Sequence, residues 1–121
     1  SYQRRLEEII GRTADIDGYF SVVGGFMGAP SRGILFVRLV AGHAFTDELK
    51  HKIRRTLREN ASPRHVPALI LEAPEIPYTL NMKKVESAVT NILNGRAVSN
   101  RDALSNPGSL EFYEKVATQL Q

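Results

Sequence analysis

The 121 residues carry a formal net charge of +3 and contain no cysteine. A chain of this length makes one domain and buries roughly two-thirds of its unfolded surface, so a single core can form without metal or disulfide staples. Without cysteine there is no disulfide framework, thiolate metal site or cysteine nucleophile, and no apolar run approaches the roughly 20 residues that cross a bilayer.

Residues 4–10 place Leu6, Ile9 and Ile10 on one helical face, with Gly11 as the stop. Tyr19 to Val23 reads as a short strand, followed by a glycine-rich loop over 24–33. Ile34-Leu35-Phe36-Val37-Arg38-Leu39-Val40 is almost all apolar and rich in strand formers, which predicts a central, well-buried strand. Thr46 is the expected N-cap of the next helix, with Asp47 and Glu48 in the first turn, where the dipole favours acids. Leu49, Ile53 and Leu57 repeat at helical spacing, and Asn60 or Pro63 ends the helix. A third strand is expected at Ala68-Leu69-Ile70-Leu71. Pro74-Glu75-Ile76-Pro77 then leads into a loop over Tyr78 to Met82.

From Lys83 the period is helical again, with Val85, Ala88, Val89, Ile92 and Leu93 as its stripe and Gly95 as its close. A polar linker runs from Arg96 to Ser105, and Asn106-Pro107 opens a last helix carrying Leu110, Tyr113, Val116 and Leu120. These elements predict an α+β fold in one domain over 1–121: a roughly three-stranded sheet flanked by helices, with 96–121 as linker and terminal helix.

Few residues carry chemistry. The glycine-rich loop joins two strands instead of opening a helix whose amides could face a phosphate, so it reads as a hairpin loop. His43, His51 and His65 sit in three segments with no metal-ligand spacing, and no metal site is expected on them. No nucleophile elbow or nucleophile–base pair is present. Lys50, Lys52, Arg54, Arg55 and Arg58 form a solvated helix face or a binding patch. The pI of about 9.4 suits phosphorylated small molecules without signalling nucleic acid. Arg64 lies between Pro63 and Pro67, a stiff presentation that suits an anion contact. Lys83 and Lys84 occupy the first turn of the expected helix, where the dipole disfavours cations. A sequence shaped only by folding would more readily place acids there. With no charged-then-apolar leader in view, a cytoplasmic setting and no membrane partner are expected.

The stretch Ile76-Pro77-Tyr78-Thr79-Leu80-Asn81-Met82-Lys83-Lys84-Val85-Glu86 resembles the last core motif of the adenylate-forming superfamily. That motif has a proline, a threonine two residues on, and a short loop ending in Gly-Lys before a helix. Ser62-Pro63-Arg64-His65-Val66-Pro67 and the tail over 100–107 look most like the acetoacetyl-CoA synthetase branch. The resemblance covers most of the chain from about Tyr19. It implies the small C-terminal lid of an acid–thiol ligase, partnered in cis or trans by a large N-terminal domain that binds ATP, Mg2+ and a small carboxylic acid. Lys83 matches the catalytic lysine, and Pro77, Thr79, Asn81 and Met82 fall in the motif loop. In such enzymes the lid then rotates for thioester formation with coenzyme A, for which Arg64 and Arg58 are the candidate contacts.

One position departs from the pattern. Met82 stands where the family has glycine, and methionine does not reach positive φ cheaply. A catalytically degraded copy that serves as a docking module is therefore the second reading. Nucleic-acid binding through the Arg54–Arg58 helix is a third, resting on charge alone. Alone, the domain is not expected to adenylate anything.

Overall fold

Three strands, β1 (Ile16–Val22), β2 (Ile34–Leu39) and β3 (Leu69–Glu72), form one sheet in that order. They belong to a computed structural model that describes residues 8–13, 15–22, 33–63, 66–77, 82–98, 104 and 106–120. β1 and β2 are antiparallel, with Phe20 opposite Phe36, while β2 and β3 are parallel, with Ile34 opposite Leu69. A parallel pair needs a crossover, and α1 (Asp47–Asn60) supplies it.

The central strand is buried on both faces, as its apolar run predicts: Ile34, Leu35, Phe36 and Val37 are each no more than 1% exposed. Phe20, Val22, Ile34 and Phe36 face α2 (Met82–Leu93) and α3 (Leu110–Leu120) through Val85, Val89, Leu110 and Tyr113. Leu35, Val37 and Ile70 face the other way, onto Leu49, Ile53 and Leu57 of α1 and onto Ile9 and Ile10. Two cores therefore sandwich one sheet. The first holds an aromatic stack, with Phe20 and Phe36 centroids 5.1 Å apart and Tyr113 edge-on to Phe36 at 4.9 Å.

Helix ends follow local chemistry. Thr46 caps α1, its Oγ1 accepting from the Leu49 amide at 3.1 Å. Thr46→Ala is expected to cost about 1 kcal/mol, read as a lower urea midpoint at unchanged slope. Beyond α2, Gly95 has φ 73°, its amide donates to the Ile92 carbonyl, and the Arg96 amide donates to the Asn91 carbonyl at 2.7 Å. This pairing satisfies the last carbonyls, and only glycine reaches that φ without strain.

Three expectations need correction. β1 starts at Ile16, three residues before the predicted strand, because a register irregularity between Ile16 and Gly18 accommodates two poor strand formers, Asp17 and Gly18. The stretch from Arg96 is not wholly polar, since Leu104 is buried in the first core and Val98 packs against it. The last helix is preceded by a 3-10 turn over Pro107–Ser109.

Candidate functional site

α2 begins at Met82, so Lys83 and Lys84 both stand in its first turn, which holds no acidic residue. Met82 is thus helical and not part of the loop. Methionine is a strong helix former, and among the described residues no non-glycine has positive φ, so the glycine replacement carries no left-handed strain. Thr79, Asn81 and Arg64 lie outside the described residues.

Pro77, the first motif residue, is buried, and three elements hold the chain just before it. The Asn106 Nδ2 amide donates to Glu75 Oε1 at 2.7 Å and to the Ile76 carbonyl at 3.0 Å. The Tyr113 hydroxyl donates to the Glu75 carbonyl at 3.1 Å. At Gly18 a Cβ would meet Ile76 Cγ1 at 3.0 Å, so glycine lets β1 approach this segment closely. Asp17, Arg38, Glu75, Pro77 and Asn106 line a depression of about 410 Å³. Arg38 Nε pairs with Asp17 Oδ1 at 2.8 Å, and this hydrogen bond holds the Asp17 carboxyl below its ordinary range.

Burial, and secondarily the Glu75 charge, push the Tyr113 phenol well above the ordinary tyrosine value. The folded state keeps this proton after the unfolded chain has lost it. The resulting stability is complete below about pH 10 and is lost as pH rises beyond it. A spectrophotometric titration should show one tyrosine ionising only with unfolding, a delayed step that Tyr113→Phe removes.

Arg58 sits elsewhere. With His51, Arg54 and Arg55 it lines a shallow depression of about 280 Å³ along the outer side of α1. Because α1 covers the sheet face opposite α2, the Arg58 stripe and the Lys83 turn are on opposite sides of the molecule. Among the described residues, no three His, Asp or Glu side chains are grouped to hold a metal, and no helix is long and apolar enough to cross a membrane.

In the sequence Asn106 reads as a helix opener and as part of the tail over 100–107, and Glu75 as part of a proline-punctuated stretch; neither announces the other. The one visible hint of this network was Arg38, a charge interrupting an otherwise apolar strand.

No protein-family model matches the chain. Over 85 residues, 70% of its length, it is 51% identical to the acetoacetyl-CoA synthetase of Macaca fascicularis. It is 45% identical over 82 residues, 68% of its length, to the acetoacetyl-coenzyme A synthetase of Rhizobium meliloti. The chain spans 13% of each of these relatives. The solved acetoacetyl-CoA synthetase of Streptomyces lividans superposes with a TM-score of 0.79 and 35% identity, over 96% of this chain and 18% of that one.

Proposed function

Because the chain is homologous to part of the acetoacetyl-CoA synthetases and has the fold of the C-terminal domain of acyl-CoA synthetases, we propose that it is the catalytic lid of an ATP-dependent acid–thiol ligase. The observation that carries this reading is the pair of lysines in the first turn of α2, a turn with no acidic residue. Cations there oppose the helix dipole by about 0.3–1 kcal/mol, a cost that a catalytic role explains and a purely structural one does not.

In the proposed reaction, the large domain holds ATP and the acid. A carboxylate oxygen attacks the α-phosphorus, the bond to the β-phosphate oxygen breaks, and pyrophosphate leaves. The Lys83 ammonium, brought over the site by lid closure, offsets negative charge as it develops. Coenzyme A thiol then displaces AMP to give the thioester. Magnesium accompanies ATP on the large domain in this scheme. The placement of Arg58 on the opposite sheet face suits a lid that rotates, with α2 serving adenylation and Arg58 and Arg64 serving coenzyme A phosphates. The relatives' name makes acetoacetate the first acid to test. The docking-module reading rests mainly on Met82, which stands in α2, where methionine needs no positive φ.

The test pairs this chain with its large domain and measures acetoacetate-dependent exchange of pyrophosphate into ATP. Exchange that requires Lys83 supports the proposal. Equal exchange by the Lys83→Ala form contradicts it.

A further inference from the structure

α1 buries Leu49, Ile53 and Leu57 against the sheet and turns a basic stripe outward. His51, Arg54, Arg55 and Arg58 follow one another at i, i+3, i+4 and i+7, and they are the described residues that line the depression on this helix. Among the described residues, none of the four pairs with a carboxylate. Lys50 is turned away from them, its ammonium 4.0 Å from Asp47 Oδ1 and over the Phe45 ring.

Folding alone does not account for this stripe. Arg58 in the last turn suits the helix dipole, but His51 is in the second turn and gains nothing from it. Like charges three or four residues apart also oppose a helix, as Arg54 and Arg55 each do with Arg58. An anion shared among them removes that repulsion. Seven helical residues span about 10 Å, so the stripe is long enough to meet more than one phosphate. Coenzyme A carries a diphosphate and a separate phosphate on its ribose.

We infer that His51 is a further binding residue for coenzyme A: with Arg54 and Arg55 it extends the phosphate contact assigned to Arg58, and it adds a charge only when its imidazole is protonated. The inference rests on the proposed lid function and on the coenzyme A role of Arg58. Histidine changes charge between about pH 5 and 8, where arginine stays charged, and an imidazolium donates from both ring nitrogens. The charges around His51 are Arg54 and Arg55 one turn on, Lys50 and Lys52 beside it, and Asp47 and Glu48 one turn back, with Asp47 facing Lys50. No carboxylate lines the depression itself. Protonation therefore tightens phosphate binding, so the contribution of His51 is gained as pH falls and lost as pH rises.

The experiment uses the chain together with its large domain. It measures the KM for coenzyme A in thioester formation from supplied acetoacetyl-adenylate, at about pH 6 and about pH 8 and constant ionic strength. The unaltered chain should show a KM about fivefold lower at the lower pH, the size of one exposed charge contact. His51→Gln should hold the higher KM at both pH values with kcat unchanged, and His51→Lys should hold the lower one at both. Arg54→Gln should raise the KM about fivefold at either pH. The ribose phosphate itself loses charge on acidification, which works against the expected gain. A His51→Gln form that matches the unaltered chain at both pH values, when adenylation does require Lys83, would overturn the inference and leave the lid reading intact. A lower kcat and lower Tm with no change in the pH profile would mean a merely structural residue and overturn it as well. If Lys83→Ala is itself fully active, the lid reading fails and the inference with it.

Discussion

Replacing Lys83 with alanine is expected to slow adenylation about 10²–10³-fold while leaving the fold as stable as before, or slightly more so. The rate loss corresponds to about 3–4 kcal/mol for one preorganised charged donor removed from a developing negative charge. The stability result has the opposite sign because of where α2 begins. Its first turn holds two lysines and no acid, so the helix dipole faces cations at its positive end. Alanine removes one of them and is the strongest helix former. Lys84→Ala should bring the same gain of a few tenths of a kcal/mol without the rate loss. Urea unfolding read beside pyrophosphate exchange separates these effects. A residue that costs stability and yet sets the rate is the signature of function, and Lys83 alone should show it.

Phe36→Ala is expected to cost about 3–5 kcal/mol. Phe36 is fully buried in the central strand, stacked on Phe20, with Tyr113 and Phe112 edge-on to its ring. Removing the ring leaves a cavity between the sheet and α3 that rigid neighbours on both strands cannot fill. Domains of this kind have only about 5–15 kcal/mol in total, so the loss should appear as a fall in Tm on the order of 15 °C. The same substitution loosens Tyr113, whose hydroxyl holds the Glu75 carbonyl, so adenylation should fall with stability.

The sequence pattern carried most of this architecture because its period and punctuation were consistent. β2 was legible in a run that is apolar but for Arg38, α1 in a threonine cap and three apolar residues at helical spacing, and the end of α2 in Gly95. Lys83 and Lys84 stand out for the contrary reason: they put cations in the first turn of α2, and breaks of a local rule concentrate at functional sites. The start of β1 was hidden because a bulge lets Asp17 and Gly18 sit in a strand that their propensities oppose. Leu104 was hidden among polar neighbours, where a single apolar residue has no period to reveal it. The Asn106–Glu75 bond spans 31 residues, and nothing local to either position announces the other. Long-range pairing of this kind depends on how α3 is laid against the sheet, which only the assembled fold determines.

The most direct measurement is the initial rate of acetoacetate-dependent pyrophosphate exchange by the large domain as this chain is titrated in. The account predicts exchange that is negligible without the chain, rises to saturation as it is added, and fails to rise with the Lys83→Ala form. Exchange by the large domain alone at the saturated rate, or an equal rise with the Lys83→Ala form, would contradict it.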